Sequence, residues 1–478
     1  MSTDLETVIG LECHVELDTD TKMFCGCRNE FGGEPNTNVC PICLGHPGTL
    51  PVPNEKAIDY IIRIGLALGC EIAPNSLFHR KNYFYPDMPK NFQISQYDLP
   101  ICVNGHLGIE AEGELRTIGI TRVHMEEDTG KTAHASATGR IHGAAYALVD
   151  YNRAGVPLVE VVSEPDMRSA EEARAYLNEL RAALESLGVS DVRMEEGSLR
   201  CDANISVRPR GESELGVKVE IKNLNSVRSL FYALKFEEER QRKAVEAGEP
   251  LRQETRHWDE DSGVTSPLRS KEYAFDYRYF PEPDLPPLEP EGARIERIRK
   301  DLPELPAARR RKLEETYDLP ADQAQLLGSS SDLYAAFEAT LAKVEVGPRM
   351  VANWVINHPR GPAAVVQESD AIAAVLQLVN DGTLSALKGK EVLDEAVESG
   401  KSPVQIVEEK GLKQVSDTGE LGAVVDEVIA ENPKPVEQFK AGKEGVLGFL
   451  VGQMMKKTGG SANPKVAGDL LRERLSGG

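Results

Sequence analysis

The chain has 478 residues, 40 % of them apolar and 28 % charged, which describes an ordinary globular protein with length for roughly three domains. A net charge of −22 excludes a general nucleic-acid binder, because phosphate contacts run on Lys and Arg, so any such contact must be local. No apolar run approaches a membrane span, and the stretch from Met1 to Glu6 has neither the basic region nor the apolar core of a secretory leader, so a cytoplasmic location is expected.

Taken in order, the first predicted element is a strand over 7–17. Ile9, Leu11, Cys13, Val15 and Leu17 share one parity and Glu12, His14 and Glu16 the other, so Glu12 and His14 project side by side about 7 Å apart. Cys25-Gly26-Cys27 and Cys40-Pro41-Ile42-Cys43 follow, twelve residues apart. Two close pairs joined by a loop have the spacing of a four-cysteine zinc site, structural because four thiolates leave no open position. Disulfides are the alternative, which a cytoplasmic chain disfavours. Cys13, Cys70, Cys102 and Cys201 stand alone and read as small core residues.

Basic and aromatic residues interleave at Arg80-Lys81-Asn82-Tyr83-Phe84-Tyr85-Pro86-Asp87 and again at Asp276-Tyr277-Arg278-Tyr279-Phe280. Such runs hold phosphate and stack a base, or else form a Tyr-rich core edge. Between them lies Arg122-Val123-His124-Met125-Glu126-Glu127-Asp128-Thr129-Gly130-Lys131. Three adjacent acids repel unless they stand in water or a cation sits among them, and Mg²⁺ is held by one or two carboxylates plus nucleotide phosphates. Ile118 and Ile120 differ in parity from Val123 and Met125, which predicts a bulge. Glu126 and Glu127 then point oppositely, so one of them reaches a metal. Glu160 stands alone among Leu158, Val159, Val161 and Val162 and needs a partner. Gly130-Lys131-Thr132 resembles the end of a P-loop, but Met125 occupies the position of its first glycine, so this is no Walker A loop.

Ser169 and Glu172 predict a capping box before a helix closed by Gly188, and a second helix is expected from Ser226 to Ala247. Alternation returns over 200–208, with Asp202, Asn204 and Ser206 on one face, and over 217–222, with Lys218, Glu220 and Lys222. One wet and one buried face favours an antiparallel sheet. Five prolines between Pro281 and Pro290 mark a boundary, and helical stripes follow. Gly328-Ser329-Ser330-Ser331 is given no catalytic role; it reads as a helix entry. From Pro433 onward eight basic residues face four acids, net +4, leaving −26 for the rest of a chain whose total is −22. This basic tail, with Lys440, Lys443, Lys456 and Lys457 among glycines, is the local nucleic-acid footprint, the alternative being a helical bundle with ordinary surface lysines.

Read together, Val8-Ile9-Gly10-Leu11-Glu12, the Arg80 to Asp87 stretch, HMEEDTGK (His124 to Lys131), DYNRAGVPLVEVVSEPD (Asp150 to Asp166), MEEGSLRCDANIS (Met194 to Ser206), EIKNLNS (Glu220 to Ser226), DYRYFPEPDLPPL and GFLVGQMMK (Gly448 to Lys456) resemble the B-subunit family of the aspartyl/glutamyl-tRNA amidotransferases. The resemblance covers essentially the whole chain in order. It implies an α+β fold: an antiparallel-sheet cradle similar to glutamine synthetase over 1–292, an all-α helical domain over 293–405 and a helical tRNA-binding tail over 406–478. It implies a carbon–nitrogen ligase that phosphorylates the side-chain carboxylate of Glu-tRNA(Gln) or Asp-tRNA(Asn) with ATP and replaces the phosphate with ammonia from a partner. The A-type amidase subunit and the small C-type subunit of the amidotransferase are the implied partners, with misacylated tRNA and no membrane. Carried over by position, His14, Glu127 and Glu160 are the expected Mg²⁺ ligands, with Glu12 beside them and Glu126 catalytic elsewhere. Lys81 and Lys131 are expected at phosphate, and Asp202, Asn204, Ser206 and Glu220 on the floor where ammonia attacks. A glutamine-synthetase-like ligase for a free amino acid and a non-catalytic tRNA-presenting module are the rival functions.

Overall fold

The computed structural model of the chain describes residues 4–135, 144–268, 277–412, 418–458, 462 and 464–476; Asp276, in the second basic–aromatic stretch, lies outside them. Two compact units meet in sequence at Pro306 and Ala307. In chain order the first contains β1 (Leu5–Glu16), α1 (Glu55–Ala67), β2 (Glu71–Ile72), β3 (His79–Asn82), β4 (Phe92–Ser95), β5 (Cys102–Ala111), β6 (Glu114–Glu127), β7 (Lys131–His134), β8 (Ala147–Asp150), β9 (Pro157–Ser163), α2 (Ala170–Leu187), β10 (Leu199–Pro209), β11 (Val219–Leu224), α3 (Val227–Glu246), β12 (Glu254–Asp259), β13 (Val264–Pro267), β14 (Phe280–Pro281) and α4 (Gly292–Lys300).

Nine strands form one sheet in the order β13-β12-β11-β10-β1-β9-β6-β5-β2, antiparallel except for the β11–β12 pair. The alternation of β1 becomes two faces: Ile9, Leu11, Cys13 and Val15 are buried, while Glu12, His14 and Glu16 are partly open. Cys201, Ala203, Ile205 and Val207 of β10 join the apolar face. Helices α1, α2 and α3 cover that face with Ile61, Ile62, Tyr176, Leu177, Leu180, Leu230 and Leu234 in one continuous core. Burying such side chains stabilises by about 1.5–3 kcal/mol each, which is why the helix-covered part of this face is apolar. Cys13, Cys70, Cys102 and Cys201 are all in this core.

Local details follow from local chemistry. The register of β6 against β9 shifts between Ile120 and Arg122, and this bulge lets Ile118, Ile120, Val123 and Met125 all reach the core despite their opposed parities. Ser169 caps α2 by accepting from the Glu172 amide, and Gly188 closes the helix in the left-handed region. The Glu172 carboxylate reaches the Arg168 amide instead of the cap's own amide, so only half of the predicted box forms. Strand β11 begins at Val219 and not at Val217, which is exposed.

Two small sheets complete the unit: β14-β3-β4, whose β4 lies against β6, and the ribbon β7–β8. The second unit is helical among its described residues. α5 to α12 span Pro306 to Lys410 around a core that includes Phe337, Val351, Ile372, Leu376 and Ile406. A separate cluster of Leu421, Val425, Val428, Leu450, Met454 and Leu471 binds α13 (Thr418–Glu431), α15 (Leu447–Lys457) and α16 (Pro464–Ser476), with α14 (Pro433–Lys440) between α13 and α15 in the chain. No helix among the described residues is long and apolar enough to cross a membrane.

Candidate active site and four-cysteine centre

The open face of the sheet gathers its charged residues by register. His14 on β1 stands opposite Glu160 on β9, and Glu160 stands opposite His124 on β6. Directly opposed residues share a face, so the solitary acid of β9 falls between two imidazoles. His124 Nε2 is 3.2 Å from Glu160 Oε2, and His14 Nε2 is 3.6 Å from both Glu160 Oε2 and Glu126 Oε1. Burial opposes charge on Glu160, but His124, His14 and Lys81 outweigh it and hold this carboxyl well below the usual range. His14, Glu126 and Glu160 each present one ligand atom within 4.8 Å of the others. Two carboxylates with an imidazole fit a divalent cation that completes its shell with phosphate oxygens.

Glu127, expected beside His14 and Glu160, points the other way. After the bulge at Ile120, parity puts Arg122, His124 and Glu126 on the open face and Val123, Met125 and Glu127 on the opposite one. There Glu127 forms an ion pair with Lys90, accepts from the Ile94 amide at 2.9 Å and borders a cavity of about 260 Å³ shared with Cys43 and Arg80. Glu126, expected to serve elsewhere, takes the place assigned to Glu127.

Lys81, on β3, lies half-buried with its ammonium 5.1 Å from the Tyr277 ring centre. Burial works against its charge, yet the Glu126, Tyr279 and Glu160 side chains together raise its pKa. Around it Tyr97 stacks on Tyr279 at 4.3 Å and Tyr83 meets Tyr277 edge-on. Arg80 is committed to structure, forked onto Glu282 at 2.7 and 2.8 Å and stacked on Phe92. Lys131 is exposed on the β7–β8 ribbon, off the main sheet.

On the other side of β1 the floor is a network. Glu12 faces Asp202 across the β1–β10 pair and accepts from Asn204 Nδ2 at 2.9 Å. Lys222 links Asp202 to Glu220, and Glu220 also accepts from Thr255 at 2.8 Å. Asn204 Oδ1 is buried, and no described residue donates to it. Ser206 is buried further along the strand beside Gly216.

Beside this floor Asp128, one of the three adjacent acids, and Glu16, on the polar face of β1, meet an arginine that was not singled out from the sequence, Arg200. Arg200 stands opposite His14 and donates to Asp128 at 2.6 Å, and Arg153 flanks the same acid at 3.6 Å. Burial opposes charge on Asp128, but Arg200 and Arg153 hold its pKa down. Glu16 next to it is pushed up to about 8 by burial and by the Asp128 charge. The parity of β10 carried the signal for Arg200, since it alternates with Cys201 as Asp202 does with Ala203. For Lys90, pairing with Glu127 across 37 residues, no local signal exists.

Cys25, Cys27, Cys40 and Cys43 converge with one sulfur each inside 4.8 Å of the rest, and none forms a disulfide. Cys40 Sγ and Cys43 Sγ are 3.8 Å apart, close to the spacing of about 3.8 Å that tetrahedral bonds of 2.3 Å to zinc require. Cys43 is held down to about 5, chiefly by the Cys25 thiol and then by the Cys40 amide and Lys22. In the tail, Lys440, Lys443 and Lys456 are exposed, whereas Lys457 is paired with Glu427 and Glu431 at 2.7 Å each.

A buried histidine–carboxylate cluster on the open face of a helix-backed antiparallel sheet, with helices following it in the chain, has the make-up of a catalytic domain joined to helical modules. A family profile described as the GatB/GatE catalytic domain matches residues 7–296, and a second, the GatB domain, matches residues 335–475. The chain therefore belongs to the GatB/GatE family. The B-subunit of the aspartyl/glutamyl-tRNA(Asn/Gln) amidotransferase from Moorella thermoacetica is 54 % identical, over 99 % of this chain and 100 % of the relative. Its counterparts of Carboxydothermus hydrogenoformans and a Picosynechococcus species are 53 % and 50 % identical, each over 99 % of this chain.

Proposed function

We propose that this chain is the transamidating component of a tRNA-dependent amidotransferase, converting Glu-tRNA(Gln), Asp-tRNA(Asn) or both to the amides at the expense of ATP and glutamine-derived ammonia. The observation that carries the reading is the convergence of His14, Glu126 and Glu160 under Lys81 on the open face of the sheet, in a family whose members bear that name. The acid-lined sheet then acts as a cradle of the glutamine synthetase kind. The A-type amidase and the small C-type protein complete the complex, and the tail over 406–478, basic from Pro433 onward, holds the tRNA.

A carboxylate resists ammonia until one of its oxygens becomes a leaving group. In the first step the substrate carboxylate oxygen attacks the terminal phosphorus of ATP, and ADP leaves with the bridging electron pair. The protein's part is positioning and neutralisation of charge. Lys81 supplies one fixed cation over the cluster, and Arg200 and Arg153 fix Asp128 at its edge. Magnesium held by His14, Glu126 and Glu160 would add positive charge where the triphosphate lies. In the second step ammonia attacks the carbonyl carbon, phosphate departs, and one proton leaves the nitrogen. Glu12 and Asp202 offer carboxylate acceptors for it, and Asn204 Oδ1, to which no described residue donates, suits an ammonia N–H. The four cysteines hold a structural zinc that pins the loop leaving β1.

The reconstituted complex, given both misacylated tRNAs, ATP, Mg²⁺ and glutamine, should form amidated tRNA, and ATP hydrolysis should depend on the misacylated tRNA. Amidation of free glutamate without any tRNA would favour the free-amino-acid ligase instead.

A further inference from the structure

Lys22 is 1 % exposed, an unusual place for an ammonium group. It donates to the Asn38 carbonyl at 3.0 Å, the Tyr151 carbonyl at 3.5 Å and Cys43 Sγ at 3.9 Å. An ammonium has three donors and no acceptor, and here it meets three acceptors. A buried cation is nevertheless unfavourable unless an anion stands against it. Among the described residues no carboxylate forms an ion pair with Lys22, and Glu127, whose Oε2 borders the same Gly155 position, is taken up by Lys90, so the sulfur of Cys43 is the anion in contact with the ammonium. Four protonated thiols would carry none. Four thiolates around a divalent metal carry a net charge of about −2, and that surplus is what a buried ammonium requires.

We propose that Lys22 is the charge partner of the metal centre, donating to the Cys43 thiolate and offsetting part of the negative charge of a divalent metal held by Cys25, Cys27, Cys40 and Cys43. The inference rests on the four-cysteine reading above and adds a residue outside the ligand set. The surroundings are built for it. The Lys22 amide donates to the Cys27 carbonyl at 2.9 Å, tying the lysine to the first cysteine pair, while Asn38 leads into the second. Gly155, whose φ of +87° favours glycine, packs beside the aliphatic stem: a Cβ built there would meet Lys22 Cδ at 3.7 Å and Cys43 Cβ at 3.6 Å, ordinary contact distances. Lys22 thus joins both cysteine pairs to the turn that follows β8. Its loss should loosen the metal.

The test uses the full-length chain and its Lys22→Met and Lys22→Arg variants. About one zinc per parent chain is expected; a parent devoid of metal would overturn the four-cysteine reading and this role with it. Zinc transfer to a chromophoric chelator then isolates Lys22. The Met variant, neutral and similar in size, should release zinc about 10- to 100-fold faster, while the bulkier but charged Arg variant stays nearer the parent. If Lys22 merely filled space, Arg would be the worse of the two. Release from the Met variant at the parent's rate would overturn the role while leaving the metal site standing. Where neither variant folds, acylation of Lys22 in the parent decides. The amine should be protected with zinc bound and should react after chelation, and equal protection in both states would overturn the proposal.

Discussion

Glu126 and Glu127 are neighbours in the chain and almost equally buried, yet they meet opposite surroundings and different substitutions should reveal it. Glu126→Gln and Glu160→Gln remove charge where phosphoryl charge develops, and each should slow ATP-dependent phosphorylation of the misacylated tRNA by at least about 100-fold. Glu127→Gln leaves Lys90 buried without its anion, so it should lower thermal stability, by about 3 kcal/mol or more, and spare phosphorylation per folded molecule by comparison. The measurement is phosphorylation at several Mg²⁺ concentrations beside a melting curve; the reverse order of effects would return Glu127 to the metal. Glu16 calls for a different expectation. With its pKa raised from 4.5 to about 8, it is mostly protonated at neutral pH, and glutamine imitates a protonated carboxyl. Glu16→Gln should therefore keep most activity, where Glu16→Ala should not. A raised acid pKa stabilises the fold fully below about 4.5 and loses that contribution as pH climbs through about 8. The melting temperature of the parent should accordingly fall relative to the Gln variant over that window, and a pH-independent difference would sink the assignment.

At the scale of elements, the sheet and its backing helices make distinct demands. Gly65 of α1 lies so close to β5 that an added Cβ would stand 2.4 Å from Cys102 Sγ. Gly65→Ala should thus cost about 1–3 kcal/mol through overpacking, read as a lower denaturation midpoint; an unchanged midpoint would mean α1 can shift outward freely. The loop after β1 depends on its cysteines, and Cys40→Ser should lower stability more than it lowers the chemical rate of surviving protein. A metal-free parent whose melting temperature ignores the substitution would contradict this. The alternation of β1 and β10 was legible in the sequence because each strand has one buried face, and the period of two is then imposed residue by residue. Which acid of the pair faces the site was misjudged by carrying positions over from the resemblance, although the parity of Val123 and Met125 beyond the bulge already set Glu127 on the apolar side. The opposition of His14 to Arg200 was not legible, because the two strands lie far apart in sequence and register is set by the assembled sheet. The four cysteines were legible because their spacing is local.

Over the whole molecule, charge is divided between an acidic body and a basic tail. Removing the chain from Pro433 onward should raise the Michaelis constant for tRNA and leave ATP binding nearly intact. Within the tail, Lys456→Ala should flatten the salt dependence of tRNA binding by about one charge, and Lys457→Ala by less, since Glu427 and Glu431 already engage it. Equal slopes in the parent and the Lys456 variant would mean that this lysine does not touch the phosphate backbone. The placement of β1 has its own consequence for how the molecule is made. It leaves the ribosome well ahead of its partner, for Leu5 pairs with Pro209 and Val15 with Leu199, residues synthesised about two hundred positions later. At translation speeds of about 5–20 residues per second, the apolar edge of β1 waits on the order of 10–40 s for its neighbour. During that interval the nascent chain exposes Ile9, Leu11 and Val15 to any chaperone or stray strand within reach.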